Sequence, residues 1–140
     1  MASRSIDDLT PRMREMAVKF LDGCLAAGID VLIYCTLRSN AEQDELYKIG
    51  RTVKGNNVKP SKPMGDTVTS ARAGQSSHNP DSTNKARAFD CVPLLHGKAQ
   101  WGDKVTYRKM GAIGKSVGLK WAGDWTGSLE ETAHFSEDGK

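Results

Sequence analysis

His78 and Asp90 stand twelve positions apart in SSHNPDSTNKARAFDC, residues 76–91. Near the other end of the chain, EETAHF, residues 130–135, sets Glu131 three positions before His134. Imidazole nitrogens and carboxylate oxygens are the donors that hold a zinc ion whose fourth position stays open to water. Such an ion brings the pKa of water toward neutrality. A carboxylate beside it can take the proton and pass it to a leaving amine. His78, Asp90 and His134 are therefore candidate metal ligands, and Glu131 is the candidate base. By themselves these residues are weak signals, because most histidine–aspartate pairs are ordinary hydrogen-bonded groups. E-x-x-H is also unspecific. In an extended segment side chains at i and i+3 point to opposite faces, so Glu131 and His134 converge only across a bend or bulge.

The elements that must position these groups are legible in outline. Asp7 or Thr10 can cap a first helix, with Pro11 in its first turn. Met13, Met16, Ala17, Phe20, Leu21 and Cys24 recur at helical spacing, and Gly28 ends the run. VLIYCTL, residues 31–37, reads as a buried strand. Ser39 or Asn40 caps a second helix that Gly50 ends. Residues 86–95 read as a second strand broken by Pro93, and 107–117 as a helix ended by Gly118. Residues 119–121 and 131–136 supply short strands. The expected fold is α+β, a small, largely antiparallel sheet flanked by helices. Residues 51–85 are rich in Pro, Gly, Ser, Thr and Asn, with scattered Lys and Arg. They read equally as an insertion without order or as a binding loop or lid.

The 140 residues suffice for one domain with a core of its own. Cys24, Cys35 and Cys91 are odd in number and widely spaced, which fits free buried thiols in a reducing compartment. No apolar run reaches membrane-spanning length, and the polar start MASRSIDDLTPRM has no signal core. The net charge of +3 gives only a weak preference for anionic partners. No aromatic–basic pattern for reading nucleic acid is present. We expect a monomer without a membrane anchor.

Four stretches resemble one family. SSHNPDSTNKARAFD is similar to the S-x-H-x-x-G-x-A-x-D motif of zinc peptidases related to D-alanyl-D-alanine carboxypeptidases. EETAHF resembles their closing E/D-x-x-H-F motif. TLRSNAEQDELYKIGR resembles the upstream segment in which an arginine follows a strand and a glutamine lies five residues on. KWAGDWTG resembles the W-G-G-D-W element of phage endolysins in this group, which includes L-alanyl-D-glutamate endopeptidases.

The resemblance implies a hedgehog/DD-peptidase-like fold and a zinc ion held by His78, Asp90 and His134. It implies Glu131 as the catalytic carboxylate and Arg38 as the cation facing the scissile carbonyl. Ser76 and Gln43 match positions near substrate. Trp121, Asp124 and Trp125 match the tryptophan-rich element that shapes the cleft. The implied substrate is the peptide stem of bacterial peptidoglycan. The implied setting is an endolysin held in the host cytoplasm until lysis. A D,D-carboxypeptidase or dipeptidase, and a noncatalytic zinc module, are the alternatives on the same scaffold.

This chain departs from the motif in two ways. Five additional residues separate His78 from Asp90, and Ala86 stands where glycine is usual. PDSTNK must therefore bulge outward if His78 is to keep its place. His96 is expected on the surface, Trp101 in packing. Without the family, Arg38 would be expected to pair with Glu42 or Asp44.

Overall fold

The computed structural model describes residues 2–55, 58, 60–69, 71–124 and 132–138. Thr10, not Asp7, caps α1 (Pro11–Ala26), its hydroxyl accepting from the Met13 amide. Pro11 sits in the first turn, where no amide partner is missing. Met13, Met16, Ala17, Phe20 and Cys24 make the buried stripe. The chain then turns through Gly28 into β1 (Asp30–Cys35). Ser39 starts α2 (Asn40–Lys48) with a reciprocal cap. Its hydroxyl accepts from the Glu42 amide, while the Glu42 carboxylate accepts from the Ser39 amide.

β2 (Ala88–Leu95) and β3 (Lys98–Ala99) form a hairpin. Its two turn residues, His96 and Gly97, both have positive φ, as the tightest hairpin turns require. His96 is exposed there, far from a ligand role. α3 (Lys104–Ser116) begins three residues before the expected position. Asp103 is the reason: its carboxylate accepts from the amide and hydroxyl of Thr106 and so captures an extra turn. β4 (Lys120–Trp121) and β5 (His134–Ser136) complete the described elements.

Among the described residues, five strands form one sheet in the order β1-β2-β5-β4, with β3 also on β2. Every strand pairing is antiparallel. Pro93 does not break β2, contrary to expectation, and Val31 of β1 pairs with it. The Pro93 carbonyl accepts from the Gln100 amide, so this residue's polar edge points away from β1. On that edge β3 pairs Leu94 and Leu95 while β5 pairs Ala88–Asp90, so the missing proline N–H falls between the two ladders.

Alternation along β2 divides its side chains between two faces. Phe89 and Cys91 join the core beneath the helices, and Asp90 faces the other way. The rings of Phe20, Phe89 and Phe135 lie 4.8–5.5 Å apart and anchor α1 to the sheet. Each such burial contributes about 1.5–3 kcal/mol. α3 approaches closely because Gly111 faces the Trp121 ring and Gly114 faces Phe135. A Cβ at Gly114 would stand 2.6 Å from the phenyl ring.

Several described residues of the 51–85 segment are tied down. The Arg51 guanidinium donates to the carbonyls of Tyr47 and Thr69 and lies 3.8 Å over the Tyr47 ring. The Ala73 amide donates to Asp44, and Gly55 to the Met64 carbonyl. The three cysteines are free and buried, as expected. Trp101 differs from expectation: it meets Tyr34 edge-on but is 59% exposed. No described helix is long and apolar enough to cross a membrane.

Candidate metal centre

Asp90 and His134 are brought together by the sheet itself. They are directly paired residues of β2 and β5, so their side chains leave the same face side by side. His134 Nδ1 lies 3.0 Å from Asp90 Oδ1. On the other edge, Cys35 opposes Asp90 after an irregularity in the β1 ladder that follows Ile33. That bulge shifts the end of β1 toward the site.

His78 comes from a loop, and a buried asparagine holds that loop. Asn79 Oδ1 accepts from the amides of Gly74 and Ser76, each at 3.1 Å. Its Nδ2 donates to the Arg38 carbonyl at 3.1 Å, while the Arg38 amide donates to the His78 carbonyl at 2.7 Å. The Ser76 hydroxyl accepts from the His78 amide. This clamp brings His78 Nε2 to 3.0 Å from Asp90 Oδ1 and 3.2 Å from His134 Nδ1.

The five additional residues do not disturb it. The Asp81 amide donates to the Lys85 carbonyl and pinches off the bulge. The Asp81 carboxylate accepts from the Thr83 amide, the Thr83 hydroxyl and the Lys85 amide. Ala86 is then buried beside Leu9, its amide donating to Asp8 and its carbonyl accepting from Thr10.

Three donor atoms from three separated segments thus form a triangle with edges of 3.0, 3.0 and 3.2 Å. Ligands on a tetrahedral zinc, with bonds of about 2.0–2.1 Å, stand about 3.3 Å apart. The chemistry of the triangle calls for a cation. His78 Nδ1 lies 2.7 Å from the Thr36 carbonyl, which can only accept, so Nδ1 carries the proton. The Nε2 lone pair of a neutral ring then points at a carboxylate oxygen and a second imidazole nitrogen. A proton or a metal must sit among them.

The neighbouring charge favours a proton in that place. Burial disfavours the charged imidazolium of His78, but the Asp90 charge and hydrogen bond, helped by Cys35, outweigh it and raise the pKa to about 10. Burial pushes the Asp90 pKa up, yet His78 and His134 together hold it well below the ordinary carboxylate range. Cys35, His78 and Asp90 also have donor atoms within 4.8 Å of one another. The sulfur, however, lies 3.7 Å from Nδ1, the nitrogen already engaged by Thr36. The triangle on Nε2 is the better-formed set.

Both histidines are buried, whereas the Asp90 and Arg38 side chains each remain 15% exposed. Solvent therefore approaches from the Arg38 side. Arg38 does not pair with Glu42 or Asp44. Its Nη1 donates to Gln43 Oε1 at 2.8 Å, and its Nη2 lies 3.5 Å from Cys35 Sγ and 4.0 Å from Asp90 Oδ2. The triangle, Arg38 and Gln43 are thus contiguous, with Ser76 at the His78 backbone.

Trp121 and Asp124 lie elsewhere. Trp121 is wedged against Gly111 and Gly123, and its indole N–H donates to the Thr132 carbonyl just before β5. Asp124 is exposed and pairs with Lys115 at 3.0 Å. Glu131 and Trp125 lie outside the described residues. Sequence reasoning missed Asn79, Cys35 and Thr36. The last acts through a backbone carbonyl, which no side-chain pattern reveals. It is braced in turn by the chain start: the Thr36 amide donates to Ser3, its hydroxyl donates to Ser5, and the Ser3 amide donates to Leu37.

The peptidoglycan L-alanyl-D-glutamate endopeptidase CwlK of Bacillus subtilis is 34% identical over 122 residues, covering 84% of this chain and 67% of CwlK. The chain belongs to this family of peptidoglycan peptidases. No protein-family model matches the sequence. The fold is shared with the L-Ala D-Glu endopeptidase ChiX of Serratia marcescens, at TM-score 0.57 and 17% identity over 97% of this chain and 87% of ChiX. It is shared too with the vancomycin-resistance D,D-pentapeptidase VanY in complex with Zn(II). There the TM-score is 0.66 and the identity 16%, over 91% of this chain and 71% of VanY. The expected DD-peptidase-like α+β fold is therefore the observed one.

Proposed function

We propose that this family member is a zinc peptidase that hydrolyses the L-alanyl-D-glutamate amide bond in the peptide stem of bacterial peptidoglycan. The observation that carries this reading is the triangle of His78, Asp90 and His134, together with the relationship to CwlK. These three residues would hold the ion. Bound there, zinc would supply Lewis acidity at neutral pH.

The remaining work falls to the chain's own groups. The Thr36 carbonyl fixes the His78 ring so that Nε2 faces the centre. Asp90 places one negative charge among two neutral donors. Arg38, on the solvent-facing side, stabilises the negative charge that develops on the carbonyl oxygen of the scissile amide. Glu131, matched by motif, takes a proton from the attacking water and delivers it to the departing amine. Ser76 is proposed to contact substrate, and Trp125, matched by motif, to shape the cleft, whereas Trp121 and Asp124 are held away from the triangle. The likeness of KWAGDWTG to phage endolysins supports a role in host lysis, with the enzyme reaching the wall from the cytoplasm when the membrane is opened.

The test has two parts. Wild-type protein should bind one zinc per chain, and His78→Ala should bind none. Mass spectrometry of defined stem peptides should show a cut after L-alanine. Release of terminal D-alanine instead would assign a D,D-carboxypeptidase. Zinc binding without any hydrolysis would assign a binding module.

A further inference from the structure

Gln43 is fully buried on α2, next to a charged side chain, and both ends of its amide are used. Its Oε1 accepts from Arg38 Nη1 at 2.8 Å. Its Nε2 donates to the Ala71 carbonyl at 2.7 Å and lies 3.4 Å from Thr69 Oγ1. Thr69 in turn accepts from the Ala71 amide and, through its carbonyl, from Arg51. With no exposed surface, this amide cannot be reached by a ligand, and both its ends are already engaged within the fold.

The spacing explains how this comes about. Arg38 immediately precedes the Ser39 cap, and the capped turn folds Gln43 back beside it. An arginine side chain has many rotamers to lose, so a long guanidinium needs an anchor if its far end is to face a reacting centre. Nη1 has that anchor in Gln43. Nη2 is thereby left toward Cys35 Sγ and Asp90 Oδ2.

We propose that Gln43 is a positioning residue: it fixes the Arg38 guanidinium toward the metal centre and couples that placement to Thr69 and Ala71 of the long loop. This rests on the proposed role of Arg38 in peptide hydrolysis. It replaces substrate contact as the reason for a glutamine at this position.

Gln43→Ala should lower kcat on stem peptides by about 10–100-fold, as losses of groups that orient a reactive residue do, with a smaller change in KM and unchanged zinc content. Adding Gln43→Ala to Arg38→Ala should cost nothing more, because the two act as one unit. Gln43→Glu keeps the acceptor for Arg38 but loses the donor to Ala71. It should recover most of kcat while increasing proteolytic cleavage near residues 69–72. Full activity in a zinc-loaded Gln43→Ala enzyme would overturn the proposal, as would additive losses in the double variant. If the wild type cleaves no stem peptide, the functional reading fails by itself. The relay is then read from Arg38 side-chain order by NMR, and unchanged order in Gln43→Ala would overturn it.

Discussion

The two histidines of the triangle reach it by different routes. His134 rides on a short strand whose ladder with β2 fixes it opposite Asp90. His78 sits in a loop and depends on Asn79, whose side chain gathers the amides of Gly74 and Ser76 and the carbonyl of Arg38. A ladder places a ligand through repeated backbone geometry, which many sequences satisfy. A loop places one through a particular polar side chain, buried where water cannot substitute for it.

The largest effect should come from the ladder ligands themselves. Asp90→Ala should abolish zinc retention after dialysis, as read by elemental analysis, and with it hydrolysis of cell walls. Zinc retained at the wild-type level would mean that the triangle is not the metal site.

Next comes the clamp. Asn79→Ala leaves two amides and a carbonyl without partners, a loss of about 2–4 kcal/mol in denaturant unfolding. Zinc affinity should fall about 10–100-fold, in the range seen when groups supporting a ligand are removed. An Asn79→Ala protein that is less stable but binds zinc normally would separate the loop's stability from its aim.

A pH titration sharpens the comparison further. With His78 raised to about 10 in the metal-free protein, each bound zinc must expel its proton. Affinity should therefore drop about tenfold per unit as pH falls from 9 to 6. Calorimetry in buffers of different ionisation enthalpy would count the proton, and a flat profile would contradict the protonated metal-free cluster. The stability of the metal-free form has its own signature. The raised His78 contributes fully below its ordinary 6.5 and fades as pH climbs toward 10. The lowered Asp90 contributes above its ordinary 3.8 and fades in acid. The pair thus stabilises most between those values.

The smallest effect belongs to the inserted bulge. Asp81 gathers three hydrogen bonds much as Asn79 does, but on the surface. Asp81→Ala should cost about 1 kcal/mol and leave zinc content unchanged, because water replaces what is lost. Loss of zinc in that variant would show that the bulge, not Asn79, sets the position of His78.

Much of this was legible in the sequence because it rests on residue type. The Phe20 stripe of α1, the Ser39 cap and the surface location of His96 follow from local chemistry, whereas His78, Asp90 and His134 were singled out by type but given weight only by the family motif. Pro93 misled because its tolerance depends on its place between the β3 and β5 ladders, a fact about other strands. The extra turn of α3 depends on Asp103 acting as a cap, a signal present but unread. Trp101 is aromatic yet exposed, because its partner Tyr34 covers only part of it. Asn79 could not be found by type, since asparagine in a turn-rich loop is ordinary until burial makes it indispensable.

The bracing of Thr36 by Ser3 and Ser5 has a practical consequence for handling the protein. A fusion or deletion beside residues 3–5 that pulls these serines away would slacken the carbonyl that steers one imidazole. Poor metal loading in such a preparation would then reflect the choice of expression vector, not an intrinsic weakness of the enzyme.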